Sequence, residues 1–312
     1  VWAEKVAQAV LMTDNTMYFV YDEPVAVGST YLSKTISQVW SGDDVVGTTD
    51  VADTPGWDFG QTGTAIQTNT KKVVFDASFA SVLPKNCSYW FMGFINLTEI
   101  EHLEYLNTSQ VVSMYDMFAS CTKLTTLNLS NFNTSLVTDM RSMFQNCQEL
   151  TTIYVGSLWT TSNVGESTNM FKGCDKLKGA VNTAYNDNHT DKEYAHVDGG
   201  IKNPGYLTDY STVYLFDNAD NAATLTAYNG QTKTVNIVGR TLYGNGVWNT
   251  LCLPFNMTAE QVTNRLKPAK LMTFSSTTLS EGTLTLYFTD ATTIEAGKPY
   301  IIKWTSDENF TP

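Results

Sequence analysis

The sequence predicts a β-rich α+β chain: a short leucine-rich-repeat solenoid with a parallel sheet, an N-terminal β cap, and a C-terminal antiparallel β-sandwich-like module. Three observations predict it. A multi-position phrase recurs every 26–27 residues through the middle of the chain, the spacing of one turn of such a repeat. Charged residues are only 16% against 42% hydrophobic, which suits buried β-structure under a neutral polar surface. Outside the repeat, short alternating runs are separated by Gly, Asn and Asp. At 312 residues there is room for two or three domains. The expected division is 1–70, 71–207 and 208–312, with the last module expected to continue beyond this chain.

The first segment alternates around Met17-Tyr18-Phe19-Val20-Tyr21, and turns follow at Asp22-Glu23-Pro24 and Gly28-Ser29. A repeat array must cover its first turn, so residues 1–70 are read as its cap, with Trp40 and Trp57 anchoring loops rather than serving as ligand platforms. Lys71-Lys72-Val73-Val74-Phe75-Asp76 reads as the first strand of the stack.

The repeat itself is Met114-x-x-Met117-Phe118-x-x-Cys121-x-x-Leu124-Thr125-x-Leu127-x-Leu129. It returns 26 residues on as Met140-x-x-Met143-Phe144-x-x-Cys147-x-x-Leu150-Thr151-x-Ile153-x-Val155. Met170-Phe171-x-x-Cys174-x-x-Leu177 follows 27 residues later. A degenerate earlier copy reads Trp90-Phe91-x-x-Phe94-x-x-Leu97-Thr98-x-Ile100. Strand side chains alternate, so Leu127 and Leu129 should lie on Ile153 and Val155, with Phe118, Leu124, Phe144, Leu150, Phe171 and Leu177 inside. The Met-x-x-Met-Phe segment is expected to return the chain as a helical or 3₁₀ turn. Cys121, Cys147 and Cys174 then form an inward column of small apolar groups, neither disulfides, whose geometry they lack, nor a zinc site, which needs close pairs.

Beyond 208 the repeat stops. Strands are read at 213–216, 224–227, 234–238, 248–253, 283–288 and 299–304, with one short helix opened by the capping box Thr258-x-x-Gln261.

At the repeat phrase, and through Asn182-Thr183-Ala184-Tyr185, Asp198-Gly199-Gly200 and Asn203-Pro204-Gly205-Tyr206, the chain resembles the BspA-like leucine-rich-repeat surface proteins widespread in Bacteroidetes. The resemblance covers about 71–207. It implies a cell-surface or secreted location and roles in adhesion or host and matrix interaction, and it supplies no catalytic residues. Trp248-Asn249-Thr250-Leu251-Cys252-Leu253-Pro254-Phe255 and Ala296-Gly297-Lys298-Pro299-Tyr300-Ile301 resemble a β module of the same kind of surface proteins.

Few residues of the sequence form a pattern that carries chemistry. The net charge of −12 repels nucleic acid and anionic lipid. No apolar run is long enough to span a bilayer, and no export signal opens the chain, so any signal or lipid-anchoring Cys is expected to lie outside it. The three histidines, His102, His189 and His196, belong to no catalytic or phosphate-binding motif. The cluster Asp187-Asn188-His189-Thr190-Asp191 with His196 and Asp198 is read as a turn-rich cap in preference to a cation site. Asp217-Asn218-Ala219-Asp220-Asn221 is read as a plain turn, since it lacks the glycine and distal glutamate of a calcium loop. No cofactor and no metal are expected.

The candidate ligand-binding residues are the outward positions of the repeat strands: Glu99, Thr126 and Thr152 in one column, Glu101, Asn128 and Tyr154 in the next. The expected function is non-enzymatic binding of a host or matrix protein by this face. A glycan ligand or a structural stalk is the alternative. The individual ligand, the oligomeric state and the role of the C-terminal module are not legible.

Overall fold

The computed structural model describes residues 4–50, 54–57, 64–217, 219–306 and 308–309. The chain divides into two compact units, Val1–Thr212 and Val213–Pro312.

In the first unit, β1 (Val6–Met12) and β2 (Thr16–Asp22) form an antiparallel hairpin. Asn15 closes its turn in the left-handed region (φ 63°), and the Asp14 carboxylate accepts from the Thr16 N–H. β3 (Thr30–Tyr31) and β4 (Lys34–Ser41) extend the sheet beyond β1. On the other side, β5 (Lys72–Phe75) runs parallel to β2, and β6 (Glu99–Glu101) runs parallel to β5. The hairpin is covered on both faces: Met17 and Phe19 enter the main core, while Val10, Met12, Val20 and Ile36 form a small cluster behind. Trp40 and Trp57 pack structurally. Trp57 is fully buried and donates to the Trp90 carbonyl at 2.7 Å, and Trp40 packs edge-on against it.

A second, all-parallel sheet holds β7 (Thr126–Leu129), β8 (Thr152–Val155) and β9 (Leu207–Asp209). Leu127 pairs with Ile153 and Leu129 with Val155, and all four side chains are buried. Phe91, Phe118, Phe144 and Phe171 stack through the core with centroids 5.4, 5.8 and 5.6 Å apart, and Tyr206 meets the last ring edge-on at 5.3 Å.

In the second unit, β12 (Asn249–Cys252), β13 (Lys270–Ser280), β14 (Thr283–Asp290) and β15 (Pro299–Lys303) make an antiparallel sheet in the order β12-β15-β13-β14. β10 (Thr212–Phe216) and β11 (Thr234–Val238) pair separately. The core is one face of the four-stranded sheet, with Leu251, Leu271, Tyr300 and Ile302, closed by Val262 and Leu266 of the helical segment 259–266. The Thr258–Gln261 capping box opens that segment. Residues 224–227, expected as a strand, lie instead in a short helix, Ala222–Ala227.

These sheets correct the expected fold class. The strands fall into small mixed, parallel and antiparallel sheets, not one parallel sheet with a cap and a sandwich. Two local causes are visible. At the position where later copies place Leu129 and Val155, the degenerate copy has His102, which is exposed and left-handed (φ 57°). An imidazole there cannot extend the inward column, so β6 stops after three residues and pairs with the N-terminal sheet through β5. Side chains bridge to the next turn instead: the Asn131 amide donates to the carbonyls of Leu103, Glu104 and Leu106.

The second cause lies in the Met-x-x-Met-Phe segments, which are neither α nor 3₁₀ helix. The N–H groups of Met114, Asp116, Phe118 and Ser120 donate to the carbonyls of Asp139, Arg141, Met143 and Gln145 in the following turn. Those of Met140, Ser142, Phe144 and Asn146 donate onward to Glu166, Thr168, Met170 and Lys172. Left-handed residues four apart, Asp116 and Ser120, then Ser142 and Asn146, then Asn169 and Gly173, undo the helical winding and aim alternate N–H groups along the stack.

Candidate functional site

The six candidate surface residues fall into two groups on two sheets. Glu99 and Glu101 stand on β6 opposite Lys72 and Val74 of β5. The Lys72 ammonium lies 2.5 Å from Glu101 and 3.4 Å from Glu99. Its hydrogen bond holds the Glu101 carboxyl below the ordinary range, and Glu101 in turn raises Lys72. This is a solvated ion-pair cluster.

The other four residues form a contiguous patch. Thr126 pairs with Thr152, and Asn128 with Tyr154. Because Leu127, Leu129, Ile153 and Val155 fill the core, strand alternation turns these four outward. Asn128 also closes its strand, its side-chain oxygen accepting from the Ser130 N–H at 3.1 Å. The patch continues onto a strand that repeat spacing did not reveal. Thr208 of β9 pairs with Tyr154 but is buried, so the exposed surface is extended by Tyr210, 42% exposed, which packs edge-on against Tyr154 at 5.9 Å. One signal could have found it: Thr208 lies two 27-residue periods beyond Tyr154.

The intervening excursion supplies the closure of the stack. The chain leaves at Gly179 and re-enters at Leu207. Gly179 and Gly205 pass so close that a Cβ on Gly179 would lie 2.1 Å from the Gly205 carbonyl oxygen, so a side chain cannot be accommodated. The last turn's donors then find acceptors in the excursion. Asn169 N–H donates to the Asp191 carboxylate, Phe171 N–H to the Thr190 carbonyl, and Gly173 N–H to the Tyr185 hydroxyl. Asp198, buried, holds the base of the excursion, accepting from Val181, Thr183 and Gly200 N–H groups and from the Thr183 hydroxyl.

The acidic and histidine groups of this segment therefore serve separate partners. Asp187 accepts from the Tyr185 hydroxyl, His189 stacks on Tyr194 at 4.4 Å, and His196 lies beside the Val197 carbonyl. Among the described residues, no three His, Cys, Asp or Glu side chains gather to hold a metal ion. In the second acidic phrase, Asn218 lies outside the described residues, while Asp217 pairs with Arg240 and Asn221 bonds its own loop.

The core positions Phe118, Cys121, Leu124, Leu127, Leu129, Phe144, Cys147, Leu150, Ile153, Phe171, Cys174 and Leu177 are all buried in one cluster. Cys121, Cys147 and Cys174 donate in series to the carbonyls of Phe91, Phe118 and Phe144 at 3.1, 3.1 and 2.9 Å. Burial pushes all three thiols up. The five cysteines are free, and Cys252 alone is exposed.

Residues 84–195 match a family model described as a Mycoplasma protein of unknown function, DUF285. No curated protein and no solved structure matches the chain. The matched span takes in the stacked turns and stops just short of Asp198. Among the described residues, no helix is long and apolar enough to cross a membrane.

Proposed function

We propose that this chain is a non-enzymatic binding protein of the cell exterior, of the BspA-like surface type, whose β7–β8–β9 face contacts a host or matrix protein. The observation that carries the reading is the outward set Thr126–Thr152 and Asn128–Tyr154, edged by the exposed Tyr210. A rigid parallel sheet holds these groups in place before any partner arrives, so little ordering entropy is lost on binding. Tyrosine contributes apolar area with a polar tip, the pattern of an interface anchor. The acidic balance of the chain favours a partner with basic surface.

The test is a panel of immobilised extracellular-matrix and epithelial proteins, probed with the native chain and with N128A/Y154A. Binding that falls at least tenfold, with thermal stability held, supports the reading; a tenfold loss corresponds to about 1.4 kcal/mol. Binding indifferent to both substitutions removes it.

A glycan ligand is the second reading, favoured by one loop of the second unit. Tyr243 and Trp248 are 58% and 41% exposed, although Asn249 pins the loop through Tyr243 and Val247. A glycan array without hits removes this alternative.

A further inference from the structure

The first unit keeps the terminal strands of its large sheet short: β3 has two residues and β6 three. Short edges deny a second chain a template for pairing. The second unit does the opposite. Its terminal strand β14 has eight residues, Thr283–Asp290, all Thr, Leu, Tyr or Phe before the final Asp. It carries no proline, no glycine and no bulge of its own; the irregular residue lies on β13, between Phe274 and Ser276. Among the described residues, no hydrogen bond is made from the outer edge of β14.

The side chains of this hairpin tell the same story. Leu279 pairs with Leu284, Thr277 with Leu286, and Phe274 with Phe288. These residues share the face opposite the core, because the neighbouring pair Thr273–Thr289 lies in line with buried Tyr300. Leu279, Leu284, Leu286 and Phe274 are 75%, 62%, 50% and 42% exposed. A chain of net charge −12 thus presents one long apolar edge whose only charge between Lys270 and Asp290 is Glu281, at the turn.

We infer that β14 is a self-association edge, pairing antiparallel with the β14 of a second copy of this chain. The occupant follows from the sequence of the edge. Antiparallel pairing about Leu286 sets Leu286 against itself and Leu284 against Phe288, so the apolar band runs unbroken across the dyad. A slip by one residue would oppose Leu286 to Thr285 and split the band between faces. Thr283–Thr289 carries no charge, so the repulsion between two acidic chains is confined to the ends of the pairing, where Asp290 lies 3.3 Å from Lys270. β14 offers one edge per chain, so the contact is isologous and closes at a dimer.

Sedimentation velocity over a concentration series, on the native chain and on L286K, tests the inference. The expected result is a dimer whose dissociation constant rises roughly tenfold or more in L286K, where two ammonium groups face each other and an apolar contact is lost. An unchanged circular dichroism melt is expected, because Leu286 is half exposed and outside the core. Register is tested by oxidation in a C252S background: L286C should cross-link to itself, and T285C should not. A chain that remains monomeric, a dimer that L286K leaves intact, growth into fibres, or cross-linking by T285C rather than L286C would each overturn it.

Discussion

Replacing Asp198 by Asn tests how the excursion after the last turn is held. The Asp198 carboxylate accepts from Val181 N–H and Thr183 N–H on one oxygen, both at 3.0 Å, and from the Thr183 hydroxyl at 2.7 Å and Gly200 N–H at 2.9 Å on the other. An amide keeps one of those oxygens and turns an NH₂ donor toward the two donors of the other pair. Each buried donor so orphaned costs about 1–3 kcal/mol, giving about 2–6 kcal/mol for the substitution. Burial opposes ionisation of Asp198, but the hydrogen bonds from Thr183, Gly200 and Val181 outweigh it and leave the pKa below the ordinary value of 3.8. The sign follows. A carboxylate with a lowered folded-state pKa contributes its full stability above its unfolded value, and that contribution is lost as pH falls through 3.8 toward the folded value. Urea unfolding at neutral pH and stepwise into acid, with amide exchange on peptides spanning 179–206, measures both effects. D198N should be destabilised at neutral pH and should lose less further stability in acid than the native chain. A change below about 0.5 kcal/mol, within the scatter of ordinary surface substitutions, would refute the reasoning. So would equal acid sensitivity in the two proteins.

Two further outcomes follow from the same packing. Tyr185→Phe removes the acceptor of the Gly173 N–H, 2.9 Å away, and should cost about 1–3 kcal/mol, with faster exchange at Gly173; a native midpoint would show that this bond is not needed. A thiol-reactive chromophore should label one cysteine in the folded chain, Cys252, and all five in urea, and a second fast-reacting thiol would mean that the column is open.

The residues show where sequence reading succeeds and where it stops. Period alone places Leu127 beside Ile153 and Leu129 beside Val155, because an apolar column with constant spacing has few other ways to be buried. It also identifies Thr126, Asn128, Thr152 and Tyr154 as outward-facing, since alternation follows once the inward set is known. The sheet to which β6 belongs was not legible. That choice turns on His102, the polar residue of the degenerate copy at a position apolar in the later ones, and on a parallel pairing of β5 with β2 across more than fifty residues of chain. The Met-x-x-Met-Phe segments depart from the expected helical or 3₁₀ turn for a subtler reason. Apolar spacing of three and four is common to a helix and to a path that alternates handedness, so only left-handed-tolerant residues at Asp116, Ser120, Ser142, Asn146, Asn169 and Gly173 separate them. β9 escapes the repeat spacing because the chain spends residues 179–206 on closure before completing its row.

The backbone ladder running from Met114 toward Lys172 has a direction. Along that column every turn gives its amide hydrogens to its successor and offers its oxygens to its predecessor, so each internal unit has the same input and the same output. Within that ladder the Met114 and Met140 turns make the same four donations, so the bonding of one is interchangeable with that of the next. The segment holding Tyr185, Asp191 and Asp198 has no such freedom: it ends the series, and it fits only there.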